Sequence, residues 1–81
     1  MDDKIKNEIT EIISNLAKIP KEEIDSKESF INAGIDSFSV VEIVYAIENK
    51  YEIDIPQDSL LNVQSLDDLV ALVKKLIENR G

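Results

Sequence analysis

Apolar residues recur every three or four positions in three parts of the chain, which is the pattern of helices with one buried face. The first predicted helix ends before Pro20, because a proline pushes the preceding residue away from helical angles. The alternation in "YEIDIP" is too short to build a sheet on its own. The predicted buried positions of the first helix are all aliphatic: Ile5, Ile9, Ile12, Ile13 and Leu16.

A long connection, residues 19–36, separates the first predicted helix from the second. Connections of this length without secondary structure are uncommon in compact domains and are often functional. Gly34 suits a turn that needs a positive φ. Four apolar side chains are expected to hold the connection against the core: Ile24, Phe30, Ile31 and Ile35.

The second helix is predicted to run from Ser37 to about Tyr51, with Asp36 as its N-cap. A rotation of 100° per residue places two apolar stripes on it. One is an ordinary core stripe, made of Val40, Ile43, Val44, Ile47 and Tyr51. The other begins at Ser37, holds Phe38, Val41 and Tyr45, and is interleaved with or flanked by Glu42, Glu48 and Glu52.

The second stripe has two explanations. The helix could be buried on all sides. Alternatively the stripe could meet a partner protein, because apolar side chains bordered by charge are typical of an interface patch. In so small a bundle we favour the explanation that the stripe contacts a partner protein.

Two further helices complete the prediction. A short one lies near Gln57–Leu61, and the last starts where Ser65 caps and Asp68 completes a box-like pair. The fold class is therefore all-α, a small four-helix bundle with a long first loop and a short third helix. The buried stripe of the last helix is Leu66, Leu69, Val70, Val73, Leu76 and Ile77.

The composition excludes several classes of function. Eighty-one residues predict one domain spanning 1–81. The chain has no cysteine and no histidine, so disulfides, thiolate zinc sites and a Ser-His-Asp triad are excluded. The start "MDDKIKNE" is not a signal peptide, and no apolar run is long enough to span a membrane. We expect a cytoplasmic protein without membrane insertion.

The net charge of −8 is confined to residues 22–58, which hold ten acids against Lys27 and Lys50. A nucleic-acid partner is not expected, because phosphate binding needs clustered Lys and Arg. Partner proteins with basic patches are favoured, since the acidic field would steer their encounter. The plain alternative is an acidic surface that only keeps the protein in solution.

Ser37 is the candidate for chemistry. Asp36 already caps the helix, which leaves the Ser37 hydroxyl to point outward, and a helix N-terminus favours a phosphate there. A nucleophilic enzyme is disfavoured, because "GIDSFS" lacks the second glycine of a GxSxG elbow and no histidine can activate the serine. No metal site is expected, since Phe30 stands where a calcium-binding loop needs glycine.

The segment Gly34-Ile35-Asp36-Ser37 followed by "FSVVEIVYAIENKYEIDIP" resembles the core signature of acyl carrier proteins, and the resemblance covers essentially the whole chain. It implies that a phosphopantetheinyl transferase moves 4′-phosphopantetheine from coenzyme A onto Ser37. The thiol of that arm would carry acyl groups as thioesters, and the protein itself would catalyse nothing.

The resemblance also assigns further residues. Asp36 matches the family aspartate before the serine. The positions that match the family's partner-facing residues are Phe38, Val41, Glu42, Tyr45 and Glu48. The positions that would form walls for an acyl chain are Phe30, Val44, Ile47 and Leu69.

The expected partners are the phosphopantetheinyl transferase, an acyl-loading ligase, and synthase or transferase enzymes that use the acyl group. The protein itself is expected to be a monomer. Phe38, Ser39 and Tyr45 differ from the leucine, aspartate and methionine that are frequent in fatty-acid carriers, which predicts a specialised fatty-acid, lipid or polyketide-type pathway. Two alternatives remain open: a D-alanyl or aminoacyl carrier, and an unmodified helical interaction module.

Overall fold

The computed structural model describes residues 3–80 and confirms the all-α prediction. The third helix ends one residue earlier than predicted. A single 3-10 turn, Lys21–Glu23, interrupts the long first loop. The helices of the described residues are α1 (Asp3–Ala17), α2 (Ser37–Tyr51), α3 (Gln57–Leu60) and α4 (Leu66–Asn79).

The core forms where α1 packs against both α2 and α4. All of its members come from the predicted apolar stripes, the first loop and the stretch after α2. Within the described residues the buried apolar side chains are Ile9, Ile13, Phe30, Ile35, Ile43, Val44, Ile47, Ile55, Leu66, Leu69, Val70 and Val73. No helix within residues 3–80 is long and apolar enough to cross a membrane.

Leu16 is a correction to the predicted stripe of α1, because its side chain is 36% exposed. The helix ends at Ala17, and the chain turns at Lys18 through a left-handed residue with φ 59°. Ile19 packs against the core at this end of the helix instead. After this turn, Ile19 and not Leu16 covers this end of the core.

The first loop is tied to the start of α4 by two backbone hydrogen bonds. Phe30 N–H donates to Gln64 O at 2.8 Å, and Asp67 N–H donates to Ser26 O at 2.9 Å. Three of the four predicted loop anchors are confirmed, since Phe30 and Ile35 are buried and Ile24 packs against the core.

The fourth predicted anchor, Ile31, is wrong, because its side chain is 85% exposed. The hydrogen bond from Phe30 N–H to Gln64 fixes the side chain of Phe30 inward. The next residue lies in a tight turn that Gly34 N–H closes onto Ile31 O at 3.0 Å, and its side chain faces outward.

Ser65 caps α4 as predicted, with its hydroxyl accepting from Asp68 N–H at 3.4 Å. The reciprocal half of the box differs, because the Asp68 carboxylate accepts from Gln64 N–H at 3.0 Å rather than from the cap residue. The same pair of residues therefore fixes both the start of the helix and the loop that enters it.

Candidate functional site

The start of α2 is a sharply defined corner. Gly34 has φ 84°, in the region that glycine adopts at least cost. Ile35 then enters the core, and its N–H donates to Phe30 O at 2.9 Å. Asp36 caps the helix, with its carboxylate accepting from Ser39 N–H at 2.8 Å. These contacts leave Ser37 as the first residue of the helix.

Ser37 is exposed, and its hydroxyl has no hydrogen-bond partner within residues 3–80. The neighbouring carboxylate is held in its ionised form. Hydrogen bonding from Ser39, first through its backbone N–H and then through its hydroxyl, holds the pKa of Asp36 below the ordinary value of 3.8. The sequence-based division of roles is confirmed, with Asp36 as the cap and Ser37 pointing to solvent.

An open groove of about 590 Å³ begins at Ser37 and runs between the first loop, α2 and the entry to α4. Its walls are largely apolar, and none of the described residues that line it is charged. The aliphatic and aromatic side chains of the walls include Phe30, Ile31, Val40, Val41 and Val63. A phosphopantetheine arm on the Ser37 hydroxyl would have its phosphodiester at the N-terminus of α2 and its uncharged pantetheine part beside this groove, so the residues present fit such an arm.

The second stripe of α2 faces solvent. Phe38, Val41 and Tyr45 are 70%, 52% and 66% exposed, so α2 is not buried on all sides. Glu42, the next residue of α2 after Val41, is exposed as well. The predicted face therefore exists as an apolar surface that starts at Ser37.

Glu48 has a structural contact that the sequence did not predict. Its carboxylate accepts a hydrogen bond from Ile55 N–H at 2.8 Å and thereby closes the turn after α2. The residue also lines a smaller groove of about 220 Å³ together with Val41, Tyr45 and Leu60. Val41 is thus the ridge between two neighbouring grooves.

The four predicted acyl-chain walls all lie in the core. Ile47 and Leu69 are 0% and 1% exposed. Phe30 lines the groove beside Ser37, and Val44 lines the smaller groove on the other side of Val41. Their role toward an acyl chain stays a prediction.

Sequence reasoning missed the groove wall made by Ile31 and Val63. These residues come together only because the hydrogen bond between Phe30 and Gln64 joins the first loop to the segment before α4. No local pattern in the sequence signals that contact. Within residues 3–80 no cluster of acidic, histidine or cysteine side chains is arranged to hold a metal ion.

The chain matches the model of the family described as the phosphopantetheine attachment site over residues 7–73. It is 33% identical over 73 residues to an acyl carrier protein of Thermobifida fusca, covering 89% of this chain and 92% of the relative. It is 34% identical over 64 residues to an acyl carrier protein homolog of Mycoplasmopsis pulmonis, covering 79% of this chain and 88% of that relative.

A third relative is longer. The chain is 39% identical over 71 residues to the meromycolate extension acyl carrier protein of Mycobacterium bovis. That alignment covers 86% of this chain but 62% of the relative.

The chain belongs to the acyl carrier protein family, whose members bear 4′-phosphopantetheine. It is a phosphopantetheine-bearing acyl carrier, which decides against the unmodified interaction module. Proteins of this family interact with a phosphopantetheinyl transferase and with synthases and transferases.

Proposed function

We propose that Ser37 is the residue to which 4′-phosphopantetheine is attached. The observation that carries the proposal is the exposed Ser37 hydroxyl, which has no intramolecular partner within residues 3–80 and stands at the mouth of an uncharged groove. In the attachment step the hydroxyl oxygen forms a bond to the phosphorus of coenzyme A that bears the pantetheine. The pyrophosphate bond of coenzyme A breaks, adenosine 3′,5′-bisphosphate leaves, and a base of the transferase takes the hydroxyl proton.

The local structure favours this residue in two ways. The start of α2 presents backbone N–H groups and the positive end of the helix dipole to a phosphodiester at Ser37, which is worth about 0.3–1 kcal/mol at an exposed site. Asp36 bonds to Ser39 and not to Ser37, so the cap stays intact when the hydroxyl is modified. When bound, the arm supplies a terminal thiol on which acyl groups are carried.

We further propose that the chain delivers substrate and catalyses nothing itself. Residues 1–81 act as one carrier domain and a monomer, and Phe38, Val41, Glu42 and Tyr45 meet the partner enzymes. Glu48 lies at the edge of this face with its carboxylate already bonded to Ile55 N–H. Partners with basic docking patches, an acyl-loading ligase and a cytoplasmic location all stay predictions.

The acyl groups are proposed to belong to a specialised lipid pathway. The likeness to a carrier named for meromycolate extension supports a long-chain or elongating system. Aromatic Phe38 and Tyr45 on the exposed face support dedicated partners, because a docking surface of unusual chemistry selects enzymes that complement it.

The attachment is tested by intact-protein mass after incubation with coenzyme A and a broad-specificity phosphopantetheinyl transferase. The parent is expected to gain one phosphopantetheine, Ser37→Ala none, and the matched control Ser39→Ala one. A gain on Ser37→Ala, or no gain on the parent, contradicts the proposal.

The pathway is tested by complementation of a strain that lacks its main fatty-acid carrier. We expect no rescue from a specialised carrier. Full rescue would place the chain in general fatty-acid synthesis. Loading of the modified protein with amino acids and with fatty acids, followed by mass, separates an aminoacyl carrier from an acyl carrier.

A further inference from the structure

Ile31 is the most exposed large apolar side chain of the described residues, and it lies on one wall of the groove that begins at Ser37. Val41, which is 52% exposed, lines the same groove from α2. Leaving two aliphatic side chains in water beside a single groove is unfavourable unless something covers them in the working state. The two residues are 10 positions apart in sequence and belong to different elements.

The charge distribution argues that an apolar group covers them. The protein carries a net charge of −8, yet none of the described residues lining this groove is charged. The charged residue that lines the smaller groove on the other side of Val41 is Glu48, whose carboxylate already accepts from Ile55 N–H. A cationic group of a partner would find no counter-charge among the described residues that line the groove beside Ser37, whereas an apolar group would find matching walls.

The position relative to Ser37 argues that the covering group comes from an enzyme. Ser37 itself lines the groove, so an active site that reaches the Ser37 hydroxyl must approach over the groove mouth. Glu42, the exposed acidic residue of α2, lines neither groove. It can meet a partner at the rim of the apolar contact and steer the encounter.

We propose that Ile31 extends the docking surface beyond α2, and that an enzyme acting at Ser37 seats an apolar side chain between Ile31 and Val41. This inference rests on the proposed function of Ser37. The aliphatic pair then determines how long the complex lasts, and the acidic surroundings determine how fast it forms. Glu42 is one of these acidic residues and is expected to act on the rate at which the complex forms.

The test measures association and dissociation rates between the chain and a broad-specificity phosphopantetheinyl transferase by stopped-flow fluorescence. The Ser37→Ala background is used, so no prosthetic arm is present and docking is measured apart from modification. In this background Ile31→Ser and Val41→Ser are each expected to raise the dissociation rate about tenfold, as loss of a central apolar contact does, with the association rate within about twofold.

Two control variants test whether the effects on the association and dissociation rates are specific. Glu42→Gln should lower the association rate and weaken its salt dependence while leaving the dissociation rate within about twofold. Leu16→Ser replaces an exposed aliphatic residue on α1 that does not line the groove, and it should leave both rates within about twofold. Thermal melting of each variant checks that the fold is retained.

Several results would overturn the inference. One is an unchanged dissociation rate in Ile31→Ser, and another is a chain that does not bind the transferase at all. An effect of Ile31→Ser that is absent in the Ser37→Ala background and appears only in the modified chain with Ser37 intact would make the arm the occupant of the groove. Self-association that Ile31→Ser abolishes would make a second copy the occupant. Failure of the proposed function is seen separately, as a parent chain that gains no mass.

Discussion

The hydroxyl of Tyr51 donates a hydrogen bond of 2.6 Å to the carboxylate of Glu8, which joins the last residue of α2 to the middle of α1. Burial of the hydroxyl first, and the Glu8 carboxylate second, raise the pKa of Tyr51 well above its ordinary value of 10.0. Arg80, the residue that follows α4, donates a hydrogen bond to the backbone oxygen of the same tyrosine.

We expect Tyr51→Phe to lower the free energy of unfolding by about 1 kcal/mol, because the hydrogen bond to Glu8 is lost while the ring is kept. Since the pKa of Tyr51 is raised on folding, the contribution is fully present below pH 10 and falls as pH rises further toward the folded-state pKa. Urea unfolding at pH 7 and above pH 10 measures this. Tyr45→Phe, which alters an exposed tyrosine of the same helix, should change nothing; an equal loss there would contradict the assignment.

The contribution of the α2 N-cap to stability is expected to depend on pH in the opposite direction, since it is lost as pH falls. The lowered pKa of Asp36 means that its ionised carboxylate stabilises the fold above about pH 3.8, and that the contribution is lost as pH falls through the folded-state value. Asp36→Ala should therefore lower the melting temperature at pH 7, and Asp36→Asn should lower it less, because asparagine also caps. Equal melting temperatures for the parent and Asp36→Ala at pH 7 would rule out the cap.

Glu48 and Glu42 lie on the same helix, but substituting them is expected to change the free energy of unfolding by different amounts. Glu48→Ala removes the acceptor of Ile55 N–H and leaves that buried residue's N–H without a partner, at a cost of about 1–2 kcal/mol in the free energy of unfolding. Glu48→Gln keeps an acceptor oxygen and should recover most of the loss. Glu42→Ala is expected within about 0.5 kcal/mol of the parent. Denaturant unfolding compares the three, and a cost for Glu42→Ala as large as for Glu48→Ala would refute the contrast.

Two adjacent residues of the first loop give the sharpest contrast in stability. Phe30→Ala empties a position that is 7% exposed and should lower the free energy of unfolding by about 3–5 kcal/mol. Ile31→Ser changes a side chain that is 85% exposed and should stay within about 0.5 kcal/mol of the parent. Urea unfolding monitored by circular dichroism gives both values. Comparable losses would mean that Ile31 does anchor the loop.

The helices and the exposed position of Ser37 behind its Asp36 cap could be predicted from the sequence. Periodicity over many residues places a helix reliably, and a cap such as Asp36 acts within its own turn. The second stripe of α2 was also predictable from rotation alone, because Phe38, Val41 and Tyr45 share a face whatever surrounds them. The acyl carrier resemblance included this segment and covered essentially the whole chain.

Only the tertiary structure decided what lies across from that segment. Ile31 was predicted to enter the core because it is aliphatic, and it faces outward because a hydrogen bond from Phe30 to Gln64, distant in sequence, sets the loop. Glu48 was predicted as a partner-facing surface acid, and its carboxylate accepts from Ile55 N–H because the chain folds back after α2. Burial and pairing depend on contacts between elements, and these contacts are absent from any local pattern of residues, whereas helix formation and capping depend on neighbours within a turn or two.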